Sequence, residues 1–356
     1  MKALPTLSLK PDLAEAARRW DAYFNDEIID RPIVGIMAET PQTNWNLGGS
    51  YRSRVFGDMN EEIDKAIQFC SSIHWLGEAI PSMMLSCATD EIAIFCGAEL
   101  KWNDASGNTN WSVPFIEDWD RQLPLRLDEN NWLWKHLLKF YETAAQRLDG
   151  IMLIQELDLH TNMDLLMSVR GSERLCMDLL DQPEAIDRAM LSAREVFKKA
   201  WYPIAKAGRM NERGYTHVGF GMEGAAVLQC DFSCMISPEM FRRWVQPALA
   251  EEASIVKRVV YHWDGPAAQI HLDNLCDTPG IHTLAYQPGD GHGRSIDYLD
   301  LFKRVQARGR GVTVGGTPDE CKYMHRHLKP NKTVYYTGTT TVAEGEELLE
   351  WFDKNT

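Results

Sequence analysis

The order of apolar patterns along these 356 residues predicts an α/β protein folded as a (β/α)8 barrel. Stretches with apolar residues at helical spacing alternate with short β-branched and aromatic runs at intervals of about 30 residues, the mark of βαβ units and a parallel sheet. About eight such units follow one another with no nucleotide fingerprint after the first strand, which favours a closed ring over an open doubly wound sheet. The composition, 44% hydrophobic and 25% charged, suits a chain that buries one large core. The expected organisation is a single barrel domain over 1–356, with an N-terminal helical extension at 1–31 and an irregular insertion at 97–131.

Taken in order, DLAEAARRWDAYFN (12–25) has helical spacing and precedes the strand-like PIVGIMAE (32–39). MNEEIDKAIQFCSSIHWLGEA (59–79) reads as one long helix and SMMLSCA (82–88) as an apolar strand. GAELKWNDASGNTNWSVPFIEDWD (97–120), rich in Trp, Asn and Gly, reads as an irregular insertion or short hairpin of the kind that lines a pocket. The helix WLWKHLLKFYETAAQRL (132–148) stops at Asp149-Gly150 and feeds the strand IMLIQEL (151–157). A helix pair broken before Pro183 fills 172–208 and leads to the strand YTHVGF (215–220). Residues 237–256 are helical, with Ser237 as N-cap and Pro238 in the first turn, and feed RVVYHW (258–263). A short helix (267–279), the strand IHTLAYQ (281–287), a helix (295–309), the strand GVTVGG (311–316), a short helix (319–328), the strand TVYYTG (333–338) and a helix (342–355) complete the alternation.

A formal charge of −14 argues against a nucleic-acid surface or an anionic membrane as partner. No apolar run approaches the roughly 20 residues of a membrane span. MKALPTLSLKPDL, interrupted by Pro5 and Pro11, is not a basic-then-apolar leader, so a cytoplasmic protein is expected. The eight cysteines are scattered without a CxxC pair and read as small buried hydrophobes rather than disulfides.

In a barrel, the residues just after each strand face one shared cavity. Here they are rich in carboxylate, imidazole and amide groups: Glu156, Asp158 and His160 after one strand, Glu223, Gln229 and Asp231 after the next, then His262 and Asp264, then Tyr286, Gln287, Asp290 and His292, then Thr317 and Asp319. Such a ring of titratable groups is what acid–base or metal chemistry requires. His262 and Asp264 stand two apart at a strand end, on one face, where together they suit one ion or one substrate atom. The alternative is that His262 bonds a backbone carbonyl and Asp264 caps the turn before Gly265-Pro266. Glu156, His160 and Asp231 are the candidate catalytic groups. Gln229, Tyr286 and Gln287 are candidate substrate contacts, with Trp102 part of an aromatic wall that Trp111 and Trp119 would complete.

QCDFSCMISPEMFRRWVQPAL, followed by YHWDG and AYQPGDG, resembles the uroporphyrinogen decarboxylase-like superfamily. Asp231, Ser233, Ser237, Pro238, Phe241 and Pro247 reproduce its D-x-S-x-x-x-S-P-x-x-F…P segment, and MSVRGSERLCMDLLDQPEAI is similar to its G-x-E-x-L…D-x-P-E stretch. The resemblance covers about residues 80–350, strongly from 150 onward. It implies a (β/α)8 barrel, a homodimer, and either decarboxylation or methyl transfer from a corrinoid.

Departures from the pattern narrow this. The decarboxylase's Arg- and Gly-rich loop after the first strand is replaced by MAETPQTNWNLGGSYRS, and the acidic mouth cannot clamp an anionic porphyrinogen. Superfamily methyltransferases hold zinc with an H-x-C pair and a later cysteine; His262 and Asp264 occupy the H-x-C positions here. The resemblance therefore implies Zn2+ or another divalent metal on His262 and Asp264, with Glu223 or Cys321 as further ligand. An oxygen ligand in place of a thiolate makes the metal a stronger Lewis acid, suited to water, an alcohol or an amine. DLHTNM superficially resembles a corrinoid-binding D-x-H-x-x-G, but Met163 takes the glycine position, so no corrinoid is expected on this chain itself. The expected activity is methyl exchange between a small molecule and a separate corrinoid protein; the alternatives are a lyase, decarboxylase or hydrolase using the same residues, and a non-catalytic metabolite-binding module.

Overall fold

The structure, a computed structural model, describes residues 3–103 and 109–356. Its strands are β1 (Ile33–Glu39), β2 (Ile73–Gly77), β3 (Ser82–Met83), β4 (Glu99–Trp102), β5 (Asn110–Val113), β6 (Leu153–Ile154), β7 (Tyr215–Thr216), β8 (Phe220–Gly221), β9 (Ala226–Gln229), β10 (Val259–Asp264), β11 (Ile281–Gln287), β12 (Gly311–Gly315) and β13 (Thr333–Thr339). Seven of them form one sheet in the order β2-β1-β13-β12-β11-β10-β9, parallel except for β2 at its edge. β3 runs parallel to β6, and β4–β5 and β7–β8 are antiparallel pairs. Backbone bonds from Gln155 N–H to the Met83 carbonyl (2.9 Å) and from Glu156 N–H to the Thr216 carbonyl (3.0 Å) link β3, β6 and β7 in succession. The protein is thus an α/β fold with a parallel sheet covered by helices.

β10 to β13 form where the expected strands lie, because runs such as VVYHWD and TVYYTGT present β-branched and aromatic side chains to both faces of a buried parallel sheet. The alternation along β13 separates two environments: Tyr336 borders the internal cavities, whereas Tyr335 packs outward on Phe352 (ring centroids 5.1 Å) and His325 (5.9 Å). The helix Trp132–Arg147 buries Leu133, Trp134, Leu137, Phe140, Tyr141 and Ala144 along one stripe and is capped by the Asn131 side chain, which accepts from Leu133 and Trp134 N–H. At the foot of β1, the buried Glu78 carboxylate accepts from the Arg31 guanidinium at 2.5 and 3.0 Å and from Val34 N–H at 2.9 Å, tying the segment before β1 to the sheet.

Two elements depart from the sequence pattern. The helix read over 59–79 ends at Ser71. Ser72 turns its hydroxyl back to the Phe69 carbonyl (2.7 Å), and Ile73–Gly77 then pairs with β1, where a hydrophobic edge strand is better satisfied than a frayed helix end. YTHVGF is not one strand either. The chain reverses at His217–Gly219, held by a bond from the Thr216 hydroxyl to the Gly219 carbonyl (2.9 Å), and the strand that joins the parallel sheet is β9. Gly224 permits this re-entry: it sits at φ +145°, and a Cβ there would lie 2.3 Å from the Val256 carbonyl oxygen. The insertion contains a hairpin, β4–β5, with its tip outside the described residues. All eight cysteines are free thiols. Among the described residues no helix is long and apolar enough to cross a membrane.

Candidate functional site

The carboxyl ends of β6, β9, β10 and β11 meet around a group of acidic and imidazole side chains. Parallel register sets Gln229 beside His262, and His262 beside Ala285, with Asp264 next to Gln287. The helix Asn162–Arg170 begins just beyond β6 and carries Asp164 in its first turn. The Asp164 carboxylate accepts from the backbone N–H groups of Asp231 (2.9 Å) and Phe232 (2.8 Å), and the Asn162 amide donates to the Gln229 carbonyl (3.0 Å). These bonds pin the loop after β9 against the start of that helix. As a result, among the described residues, the ligand atoms of His160, Asp164 and Asp231 lie within 4.8 Å of one another.

Electrostatics follow from packing several acids in little water. Burial, reinforced by the Asp231 charge, pushes the Asp164 carboxyl up to about 7. Burial also raises the Asp231 carboxyl, against the restraining charges of His160 and His262. For His160 burial acts downward, but the surrounding Asp158, Asp164 and Asp231 outweigh it and the imidazole is raised. A bound divalent cation would relieve these like charges. Asp231 Oδ1 and Asp158 Oδ1 are buried with no hydrogen-bond partner among the described residues, and one imidazole with two carboxylates is an acceptable donor set for zinc or a harder divalent ion.

A second element stands beside this trio. His217, on the turn between β7 and β8, shares a 3.0 Å hydrogen bond between Nδ1 and Glu156 Oε1. The same Glu156 oxygen accepts from Val227 N–H at 2.9 Å, and Oε2 is buried without a hydrogen-bond partner among the described residues. Burial pushes the Glu156 carboxyl up to about 7, the His217 bond holding it back. His217 borders three adjoining cavities of about 560, 380 and 130 Å3. The second is also lined by Asp158, His262, Tyr286 and Gln287, and the third by Tyr51, Glu156, Asp158 and His160.

No protein-family model matches the chain, and no curated protein does. Among solved structures, a methyltransferase from Methanosarcina mazei is similar over 95% of this chain and 98% of its own, with a TM-score of 0.62 at 15% identity. The two share a fold. A B12-independent methionine synthase from Shewanella sp. W3-18-1, in complex with selenomethionine, is similar over 73% of this chain and 72% of its own at a TM-score of 0.40 and 10% identity.

Of the residues expected from sequence, Glu156, His160, Asp231, His262, Gln229, Tyr286 and Gln287 gather at this end of the sheet. His262 and Asp264 both act on Asp231 through their charges, His262 half-buried at the 380 Å3 cavity and Asp264 exposed and outside its lining. Gln229 is buried, with its amide nitrogen unpartnered among the described residues. Tyr286 accepts from the Gln269 amide at 2.7 Å.

Three expectations need correction. Glu223 follows only the short antiparallel β8 and precedes β9, the strand that joins the parallel sheet; Ala226 N–H bonds the Arg258 carbonyl at the start of β10, so Glu223 sits exposed at the opposite end of the sheet from His262. Cys321 is buried a turn into the helix Pro318–His325, close to Tyr335 on the outer face of β13, and burial pushes its thiol up to about 12, as for a thiol in apolar packing. Trp102, on the hairpin, meets Phe56 in a tilted ring contact (centroids 5.5 Å) and borders none of the three cavities. Sequence reasoning missed Asp164 and His217. Asp164 follows His160 by four residues, a spacing that can place both at one helix start, whereas His217 looked like the middle of a strand.

Proposed function

We propose that this chain is a methyltransferase of the uroporphyrinogen decarboxylase-like superfamily, built as a closed (β/α)8 barrel, that moves a methyl group between a small molecule and a separate corrinoid protein. The observation that carries the reading is the convergence of His160, Asp164 and Asp231 at the strand ends, where His160 lines the 130 Å3 cavity that shares Asp158 and His217 with the 380 Å3 one. The motif residues Asp231, Ser233 and Ser237, and a fold shared with a methyltransferase along nearly the whole chain, support it. The seven-stranded sheet and the linked β3, β6 and β7 are the material of the barrel.

In this reading His160, Asp164 and Asp231 hold a divalent ion, Zn2+ or a harder one, with His262 and Asp264 on the adjoining strand. Such an ion supplies a Lewis-acid centre that makes a bound O–H or N–H more acidic. Gln287 and Tyr286 line the cavity and orient a small polar acceptor, and the Asp158 carboxylate faces the same space and favours a cationic or protic group there. The cavity is too small for a corrinoid, so the methyl partner presents its cofactor at the mouth. The test is spectroscopic: the purified chain is mixed with a methylated corrinoid protein and a panel of small amines, alcohols and thiols, and cobalt demethylation is followed by absorbance. No spectral change with any acceptor at full metal loading would overturn the proposal.

A second reading, a lyase, decarboxylase or hydrolase without corrinoid, is favoured by the all-oxygen-and-nitrogen ligand set and by the buried Glu156–His217 pair. Turnover of a small polar acid or ester in the absence of any corrinoid protein, abolished by His160→Ala, would select it.

A further inference from the structure

We infer that His217 is the proton-accepting catalytic residue of this site and that Glu156 is its positioning residue. The inference rests on the methyl-transfer reading for the identity of the reaction, but the geometry that carries it belongs to the pair alone. Glu156 Oε1 is anchored by Val227 N–H (2.9 Å) and receives His217 Nδ1 at 3.0 Å, which fixes the ring so that Nε2 is the nitrogen left for the cavities. His217 borders all three of the adjoining cavities, and Asp158 two of them. A carboxylate with 2% exposure whose second oxygen finds no partner among the described residues is costly for the fold, and such a cost is retained where the group serves a reaction.

In the transfer, the acceptor's N–H, O–H or S–H proton passes to His217 Nε2 as its heteroatom forms a bond to the methyl carbon. The bond from that carbon to the methylated corrinoid donor breaks, and its electron pair leaves with the donor. The imidazolium that results is stabilised by Glu156 through Nδ1–H and returns its proton to solvent through the cavity. The titratable groups facing His217 are Glu156 and Asp158, both of which favour its protonated form against the opposing effect of burial.

The test uses the metal-loaded chain and three proteins: wild type, His217→Asn and Glu156→Gln. His217→Asn is expected to lower the methyl-transfer rate by about 100- to 10,000-fold, the usual worth of a general base, with metal content unchanged. Glu156→Gln is expected to move the acid limb of the rate profile to lower pH, because the imidazole loses the charge that raises it. Histidine-selective 15N NMR provides a readout independent of turnover: the His217 resonance should titrate above the ordinary imidazole range in wild type and lower in Glu156→Gln. A wild-type rate in folded His217→Asn, or a His217 titration unaffected by Glu156→Gln, overturns the inference. If wild type transfers no methyl group but the NMR coupling is present, the methyl-transfer reading fails while the dyad stands for the corrinoid-free reaction, to be assayed with the same variants.

Discussion

Replacing Glu156 with Gln should stabilise the protein above neutral pH while it slows the reaction. Glu156 is buried, and its carboxyl stands at about 7 in the fold against 4.5 for an ordinary glutamate. Ionising it in the folded state rather than in the unfolded chain therefore costs about 3 kcal/mol, at about 1.36 kcal/mol for each tenfold difference in proton affinity. The sign follows from linkage: between pH 4.5 and 7 the folded state binds more protons at this site, so its contribution to stability falls as pH rises, and the full cost is present above pH 7. His217 acts the same way, since the elevated imidazole of the wild type adds stability only on the acid side. Gln keeps an oxygen that accepts from Val227 N–H and is spared the ionisation cost. With about 2.1 cal/mol/K of unfolding entropy per residue, 356 residues give about 0.75 kcal/mol/K, so the difference corresponds to about 4 °C in Tm. Thermal unfolding of both proteins at pH values from 5 to 8 should show Glu156→Gln gaining about 4 °C on wild type across that range. Two parallel Tm curves would refute the reasoning, because they would mean that Glu156 is not a buried, proton-bearing acid.

Further outcomes follow from the same geometry. Asp164→Asn and Asp231→Asn should each weaken zinc binding by about 100-fold or more, since loss of even a supporting partner costs 10–100-fold; isothermal titration of the metal-stripped protein reads this directly. Glu223→Gln and Cys321→Ala should leave metal content and turnover at wild-type values, as one lies at the far end of the sheet and the other in the outer layer; metal loss in either would restore them as ligands. Glu78→Gln should cost about 3 kcal/mol by removing the buried carboxylate from Arg31, whose remaining ion-pair partner is the half-exposed Asp353, or about 4 °C by the entropy above, and thermal unfolding at pH 7 measures it.

The late strands could be read from sequence because each is buried on both faces. A strand in that position must be a continuous β-branched and aromatic run, and VVYHWD, IHTLAYQ and TVYYTGT leave little choice. The amphipathic helices between them were legible for the complementary reason, a single apolar stripe at 3.6-residue spacing. Local pattern failed where pairing decides the conformation. Ile73–Gly77 continues a helical spacing but finds β1 as a partner, and Tyr215–Phe220 has strand composition but folds back on itself before β9. That second reversal exposes His217 to the cavities and sends Glu223 to the other end of the sheet.

The chemistry divides in the same way. The presence of acids and imidazoles at strand ends was a property of the sequence, because position along a strand sets which end a residue occupies and alternation sets its face, as for His262 and Asp264. Which of them meet was not. Asp231 reaches His160 and Asp164 only because two backbone N–H groups 67 and 68 residues further along the chain find the Asp164 carboxylate, and Glu156 finds His217 across 61 residues. Local patterns encode what a residue is and which way it faces; approach between distant residues is decided by sheet register and loop hydrogen bonds, which exist only once the chain has folded.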